Sequence, residues 1–383
     1  MISKKKAIIY GIVLVVVTAL FTSTFQVGIG NKVVVSKEVY EGYKKYNKLL
    51  GLESIVKEDF YQKPEDKKLV DGAIKGLFSG LNDPYSQYYT QSEFERLKEQ
   101  TSGAYVGIGV IISPNADDNT ITIIAPIEGS PAEKGGIKPG DKILKVNGTI
   151  VTADKSDEAI GMIKGKSNTD VELTIKRDDE EFNVSIKREE IVSKSVESKV
   201  MEDNIGYLKI TSFNETTYDE FAKALESLKS QGIKGLALDL RDNPGGLLNI
   251  CEDIADELIG EGTIVYTKDN KGNTEYLKSD KKKLGVPIAV LTNEGSASAS
   301  EILTAAIVDN KEGISVGTTT FGKGLVQSVR ELKDGTGYKL TTAQYFTPNG
   351  DYINGKGIAP NIEEKDKEKQ LDIAIDWIKE QVK

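Results

Sequence analysis

Ile288-Ala-Val-Leu-Thr-Asn-Glu-Gly-Ser-Ala-Ser-Ala-Ser-Glu301 joins a short apolar strand, Ile288–Leu291, to an apolar helix over Ser300–Asp309. A buried-looking strand that passes through a turn straight into a helix is the repeating unit of an α/β fold with partly parallel strands. A serine at such a turn sits where first-turn N–H groups lack intrahelical acceptors and point outward. Donors of that kind can stabilise a tetrahedral oxyanion. The same residues also fit a plainer role, because Ser298-x-x-Glu301 is a capping box.

The alternation extends to the N-terminal side of this stretch. Gly206–Ile210 reads as a strand, Thr217–Gln231 as a helix, Gly235–Asp239 as a strand and Leu247–Ile259 as a helix. On the C-terminal side lies Gly317-Thr-Thr-Thr-Phe-Gly-Lys-Gly-Leu-Val-Gln327, with one lysine between two glycines. A surface lysine needs no such setting, whereas close backbone packing around an amine does. A lysine desolvated in this way has a lowered pKa and can serve as a general base. The chain contains no histidine, which removes Ser-His-Asp and Cys-His catalysis and HExxH zinc sites together. Lys323 is then the natural group to deprotonate a serine. Gln327 follows four residues later, and one helical turn would put it beside Lys323 to orient the amine.

The chain has 383 residues, enough for roughly two or three domains at ~150 residues each. Its composition, 38% hydrophobic and 28% charged, suits a globular protein with an ample core. A net charge of −9 argues against nucleic-acid binding, which needs clustered Lys and Arg. The single cysteine, Cys251, allows no intramolecular disulfide and no CxxC metal site. It falls in an apolar stretch and reads as a core thiol. No metal site and no cofactor is expected.

Lys4, Lys5 and Lys6 precede an uncharged run from Ala7 to Asn31. A basic head before such a run is a secretory signal or a membrane anchor. No clean small-residue cleavage site follows, so the expectation is an uncleaved single-pass anchor, with the rest of the chain extracytoplasmic. Cleavage would instead give a secreted protein. Val33 to Gln100 reads as helical and charged, with Leu69, Val70, Ile74, Leu77 and Phe78 at helical spacing. It is either a plain lead-in or a dimerisation arm.

From Ala104 to Lys187 the pattern changes to short strands with Gly and Pro turns: Tyr105–Ile112, Thr120–Ile124, Asp141–Val146, Asp170–Lys176 and Glu181–Ile186, with one helix at Ser156–Ile163. Tyr105-Val-Gly-Ile-Gly-Val110 opens this module, and Ser130-Pro-Ala-Glu-Lys-Gly-Gly-Ile-Lys-Pro-Gly-Asp-Lys-Ile-Leu-Lys-Val-Asn-Gly148 follows. Together they resemble a bacterial PDZ domain. Gly107 and Gly109 would let backbone N–H groups converge on a terminal carboxylate. The strand that follows would offer an open edge to an added peptide strand. Val106, Gly107, Ile108, Gly109 and Val110 are the candidate peptide-binding residues. Gly161-Met-Ile-Lys-Gly-Lys-Ser167 is one residue short of a phosphate loop and follows a helix, so it is rejected as one.

The full set of strings resembles the carboxy-terminal processing peptidases, also called tail-specific proteases. It adds Asn82-Asp-Pro-Tyr-Ser86, Asp239-Leu-Arg-Asp-Asn-Pro-Gly-Gly246 and Gly355-Lys-Gly-Ile-Ala-Pro360 to the stretches above. The resemblance implies Ser298 as nucleophile, Lys323 as base and Gln327 as its orienting partner. Ser296 and Ser300 would be structural, with Ser300 a helix cap. It implies an oxyanion hole from the amides of the Gly245-Gly246 turn and Ala299. Substrates would be proteins with apolar C-terminal tails, and the enzyme a homodimer built through its N-terminal helices and residues 367–383. In related enzymes the turn after the PDZ helix often carries Arg, where this chain has Lys164. Arg241 and Asp242 read as a structural charged pair.

The expected architecture is thus a multidomain α/β protein. Residues 1–31 form the anchor, 32–100 a helical arm, 101–188 a β-rich PDZ domain and 189–383 a crotonase-like α/β serine peptidase core. A membrane-anchored PDZ adaptor that binds tails without cutting them is the main alternative. An acyl-CoA enzyme on the same core fits the export signal poorly.

Overall fold

Strands Gly235–Asp239 and Ile288–Thr292 are buried at every position, as strands covered on both faces must be. They are the centre of a six-stranded sheet in the computed structural model of the chain, which describes residues 3–24, 28–29, 32–33 and 35–383. In spatial order the sheet runs Val196–Val200, Ile205–Ile210, Gly235–Asp239, Ile288–Thr292, Gly313–Gly317 and Ile362–Glu363. The first pair is antiparallel and every later pair parallel. Period-two alternation divides the side chains between two layers. Leu236, Leu238, Ile288 and Val290 pack with the helices Thr217–Ser230, Leu248–Leu258 and Ala299–Asp309. Ala237, Ala289 and Leu291 face the helix Lys367–Gln381 through Ala374 and Ile378. Cys251 is fully buried in the first layer, and burial pushes its thiol well above the usual range. The strand–helix alternation expected from the sequence is therefore present, with ends shifted by a residue or two.

A second sheet has no counterpart in that expectation. Strands Thr274–Ser279, Gly262–Asp269, Gly337–Phe346 and Leu325–Glu331 are neighbours in that order, and Gln87–Tyr89 adds to Gly337–Phe346. The last strand interrupts the helical reading of residues 33–100. Asn82, with φ 53°, begins the turn that leads to it, and Ser86 Oγ accepts from Thr341 N–H at 2.9 Å.

The β-rich module has a sheet ordered Glu180–Lys187, Asp170–Arg177, Lys142–Val146, Thr120–Pro126 and Val110–Asn115, with Thr149–Ile150 alongside Lys142–Val146. Ile121, Ile123, Ile143, Val171, Leu173 and Ile175 form its core. The single strand expected over Tyr105–Ile112 is broken in two. Ala104–Gly107 pairs with Glu189–Val192 in a separate two-stranded sheet, and Val110–Asn115 lies at the open edge of the larger one. Gly109 makes the break. Its φ is 75°, and a Cβ there would lie 2.4 Å from Ser130 Cβ. Gly107 has no left-handed φ, so only one of the two glycines has the conformation expected for a carboxylate nest. Arg188 caps the helix Ser156–Ile163 by donating to the carbonyls of Met162 and Ile163, each at 2.8 Å. Lys164 pairs with Glu99 and lies 4.8 Å from the Tyr105 ring centroid.

Residues 1–80 form a separate unit with helices Lys4–Thr24, Lys37–Asp59 and Asp66–Ser79. The latter two contain no buried residue, and Tyr40, Tyr43, Leu49 and Ile55 stand exposed. Among the described residues no helix is long and apolar enough to cross a membrane. Residues 1, 2, 25–27, 30 and 31 of the proposed anchor lie outside the described residues, as do the side chains of 19–34.

Candidate active site

The turn between Ile288–Thr292 and Ala299–Asp309 is tied to the neighbouring strand end by its serines. Ser296 Oγ donates to the Leu240 carbonyl at 2.8 Å, and Ser300 Oγ to the Asn243 carbonyl at 2.9 Å. Both serines are fully buried. Ser300 is therefore a helical residue that holds the adjacent turn, and the N-cap position belongs to Ser298. The expectation of Ser300 as the cap is corrected. The N–H of Ala297 donates to the same Asn243 carbonyl at 3.0 Å, and Asn293 and Asp242 exchange two hydrogen bonds.

Between these anchors Ser298 adopts φ 55° and ψ −111°. Backbone in such a sparsely populated region costs about 1–3 kcal/mol and persists only where its surroundings hold it. Sharp strand-to-helix turns of this kind raise a serine above its sheet. A Cβ placed on Gly245 would lie 2.9 Å from both Ser298 Cβ and the Ala299 nitrogen, so the glycine turn is against the serine. The three expected oxyanion donors are not equivalent. Gly245 N–H is already given to Asn243 Oδ1 at 2.9 Å, which removes it from the set. The N–H groups of Gly246 and Ala299 are not taken up by other described residues, and Ala299 is a first-turn position where that is normal.

Lys323 sits in a loop that its flanking glycines allow to pack tightly. Gly355 N–H donates to the Gly322 carbonyl at 2.8 Å, and Asn354 Oδ1 accepts from Gly324 N–H at 3.1 Å. The Lys323 ammonium lies 4.8 Å from the centroid of the Tyr85 ring. Burial, and secondarily the positive charge of Lys339, lower its pKa; Glu301 and Asp83 act in the opposite sense. Tyr85 and Lys339 were not read from the sequence as site residues. Tyr85 lay in plain view inside Asn82–Ser86, but nothing local in that string points to a lysine more than 200 positions away.

Gln327 is not one helical turn from Lys323. It lies on the strand Leu325–Glu331, just past a break in register at Val326, and its amide donates to the Leu325 carbonyl at 3.0 Å. No hydrogen bond joins its side chain to Lys323 among the described residues. The helical-spacing argument fails because the segment pairs with Gly337–Phe346. Gln327 nevertheless lines the same cleft as Ser298, Gly246, Lys323, Lys339 and Tyr345, a space of about 1120 Å3.

Arg241 pairs with Asp239 and not with Asp242, by two hydrogen bonds of 2.9 and 2.6 Å. It also donates to the Lys367 carbonyl and to Gln370 Oε1, which fixes the start of the last helix. Val106 and Gly107 are in the two-stranded sheet, Ile108 is buried, and Val110 begins the edge strand.

Peptidase family S41 matches residues 204–364, the PDZ domain family residues 96–176, and the family of the activating protease CtpB N-terminal domain residues 21–93. The carboxy-terminal processing protease CtpA of Bacillus subtilis (strain 168) is 41% identical over 91% of this chain and 76% of its own length. A probable CtpA-like serine protease of Staphylococcus aureus (strain COL) is 40% identical over 82% of this chain, which spans 64% of that relative. Among solved structures, the photosystem II D1 C-terminal processing protease superposes with a TM-score of 0.51 at 27% identity, covering 87% of this chain and 94% of its own. The chain belongs to the carboxy-terminal processing family of serine proteases, with a PDZ domain ahead of its α/β catalytic core.

Proposed function

We propose that the protein is an extracytoplasmic endopeptidase in which Ser298 is the nucleophile and Lys323 the general base, acting on proteins recognised by their apolar C-terminal tails. The observation that carries this reading is the pairing of a strained, helix-capping serine with a lysine whose pKa is lowered by burial, both lining one cleft. Neutral Lys323 takes the Ser298 proton as Oγ attacks the scissile carbonyl, and the oxyanion rests on the Gly246 and Ala299 amides. Lys323 returns the proton to the leaving amine. A water that Lys323 then deprotonates hydrolyses the acyl-enzyme and releases Ser298. Gln327 lines the same space, and its amide N–H donates to the Leu325 carbonyl. No metal or organic cofactor enters the scheme. The tail would add to the edge strand Val110–Asn115, with its carboxylate near Gly109.

The test is cleavage of an unstructured protein ending in apolar residues, compared with the same protein carrying a C-terminal amide, together with fluorophosphonate labelling mapped by peptide mass spectrometry. The expected result is a single adduct at Ser298 and cleavage that weakens about tenfold or more when the terminal carboxylate is blocked, the loss of one charge-assisted contact. An adduct elsewhere would sink the nucleophile assignment. Tail binding with neither adduct nor cleavage would leave an adaptor.

The basic head and uncharged run at residues 4–31 support export and membrane attachment through the N-terminal segment. The exposed Tyr40, Tyr43, Leu49 and Ile55 on a helix without buried residues support a homodimer through that arm. Digestion by protease added to intact protoplasts and sedimentation of the full chain check both. Protection from the protease, or a monomer at micromolar concentration, would overturn the respective point.

A further inference from the structure

Two buried side chains touch the backbone of both Ser298 and Lys323, although these residues belong to different elements. Glu301 Oε2 accepts from Ser298 N–H at 2.8 Å and from Lys323 N–H at 2.9 Å. Its other oxygen accepts from Gly322 N–H at 2.7 Å and Thr320 Oγ1 at 2.6 Å. The Tyr345 hydroxyl, from the strand Gly337–Phe346, hydrogen-bonds to the Lys323 carbonyl and lies 3.3 Å from that of Ser298. Each of the two residues therefore has its N–H on Glu301 and its C=O against Tyr345. A helix cap would explain one of these contacts. It does not explain why Glu301 is fully buried, nor why three of its donors come from a loop about 20 positions away. Burying a carboxylate is costly unless its lone pairs are all engaged, and four donors engage them.

We propose that Glu301 and Tyr345 are positioning residues that act as one clamp, holding the Ser298 elbow and the Lys323 loop in the register that acyl transfer requires. The proposal rests on the Ser298–Lys323 assignment. Reacting groups misplaced by about 1 Å can lose on the order of a hundredfold in rate, and no covalent cross-link ties these two segments. The charged and titratable groups facing the Lys323 amine are Glu301 on the helix, Lys339 on the second sheet, and Asp83 and Tyr85 in the 82–86 turn. Tyr345 is held protonated by its burial and by Glu301, so it remains a hydroxyl donor.

Glu301→Gln and Tyr345→Phe in the full chain test this, with Ser298→Ala as the inactive reference. Gln offers one acceptor atom where two pairs of donors converge, and its NH2 group then faces either the Ser298 and Lys323 N–H groups or the Gly322 N–H and Thr320 hydroxyl. The expected result for Glu301→Gln is a kcat about a hundredfold lower, with KM and tail affinity within about twofold. Its acid limb of kcat/KM moves to lower pH, because the lost carboxylate had favoured protonated Lys323. Tyr345→Phe keeps the ring and loses one hydrogen bond, which lowers kcat about tenfold and leaves the limb in place. A merely structural role would reduce the fraction of serine labelled by fluorophosphonate, whereas a lost clamp leaves that fraction whole and lowers kcat with KM unchanged. If Glu301→Gln does not fold, Tyr345→Phe decides. Wild-type kcat in Tyr345→Phe, or in a folded Glu301→Gln, overturns the clamp. Cleavage by Ser298→Ala would be a different failure, that of the nucleophile assignment itself.

Discussion

Replacing Lys323 with arginine or methionine is expected to lower kcat/KM by about three orders of magnitude or more, with the fold unchanged. Arginine keeps the positive charge but cannot give up its proton in the accessible pH range, so it cannot act as a base. Methionine keeps the stem and removes the amine altogether. Neither change removes a side-chain hydrogen bond on which the loop depends, since the loop is held through the backbone of residues 322–324. The unfolding midpoint should therefore stay near that of the wild type. Steady-state cleavage, circular dichroism and a thermal scan check the three parts. Activity within tenfold of wild type in Lys323→Arg would remove lysine from the role of base.

The pH profile gives the same assignment a second readout. Activity should rise with pH as Lys323 loses its proton, because only the neutral amine accepts one. Burial first, and then the charge of Lys339, push this transition below the usual lysine range. Lys339→Met removes a like charge, so protonated Lys323 becomes easier to form and its pKa rises. The acid limb of kcat/KM should then move to higher pH, opposite in sign to the shift expected for Glu301→Gln. A limb unmoved by Lys339→Met would mean that another group sets it.

Gly245→Ala should abolish detectable turnover. The residue has φ 95°, which costs an L-residue about 1–3 kcal/mol. Its new Cβ would also lie 2.6 Å from the Ala297 carbonyl oxygen and 2.9 Å from the Ala299 nitrogen and Ser298 Cβ. These are backbone atoms and the Cβ of the proposed nucleophile, and none can swing aside as a flexible side chain would. Relief requires the 243–246 turn and the serine elbow to separate, which displaces the Gly246 amide from the Ala299 amide. Loss of one well-placed oxyanion donor alone costs about 10² to 10³ in kcat. Fluorophosphonate labelling separates the outcomes. Labelling lost in a protein that keeps its far-ultraviolet spectrum supports the geometric account, and normal labelling with normal turnover would refute it.

Ser298 and Lys323 were legible because each sits in a local pattern with a chemical meaning. One is a serine at a strand-to-helix turn, the other a lysine wedged between glycines, and the absence of histidine narrowed the partner to lysine. Glu301 was visible as well, but its sequence spacing points only to a helix cap. Its bonds to residues 320, 322 and 323 depend on where a distant loop lands. Gln327 was placed wrongly for the same reason: spacing of four has meaning on a helix, and strand pairing with residues 337–346 overrides it.

The parallel core was readable from the sequence alone because runs such as Gly235–Asp239 and Ile288–Thr292 are apolar throughout, and burial on both faces imposes that composition. The β-rich module was readable from its glycine and proline punctuation, since left-handed turns and close approaches restrict which residues can stand there. The assembly of the second sheet was decided only by tertiary structure. Its two hairpins, 262–279 and 325–346, are local, but they are joined to each other and to Gln87–Tyr89 by pairings between residues far apart in the chain, and their polar, half-exposed positions have no strict alternation. The site has the same division. The residue types proposed for the chemistry, a serine at the turn and a lysine between glycines, were legible locally. Their register, held by Glu301 and Tyr345, comes from contacts between segments that no local pattern relates.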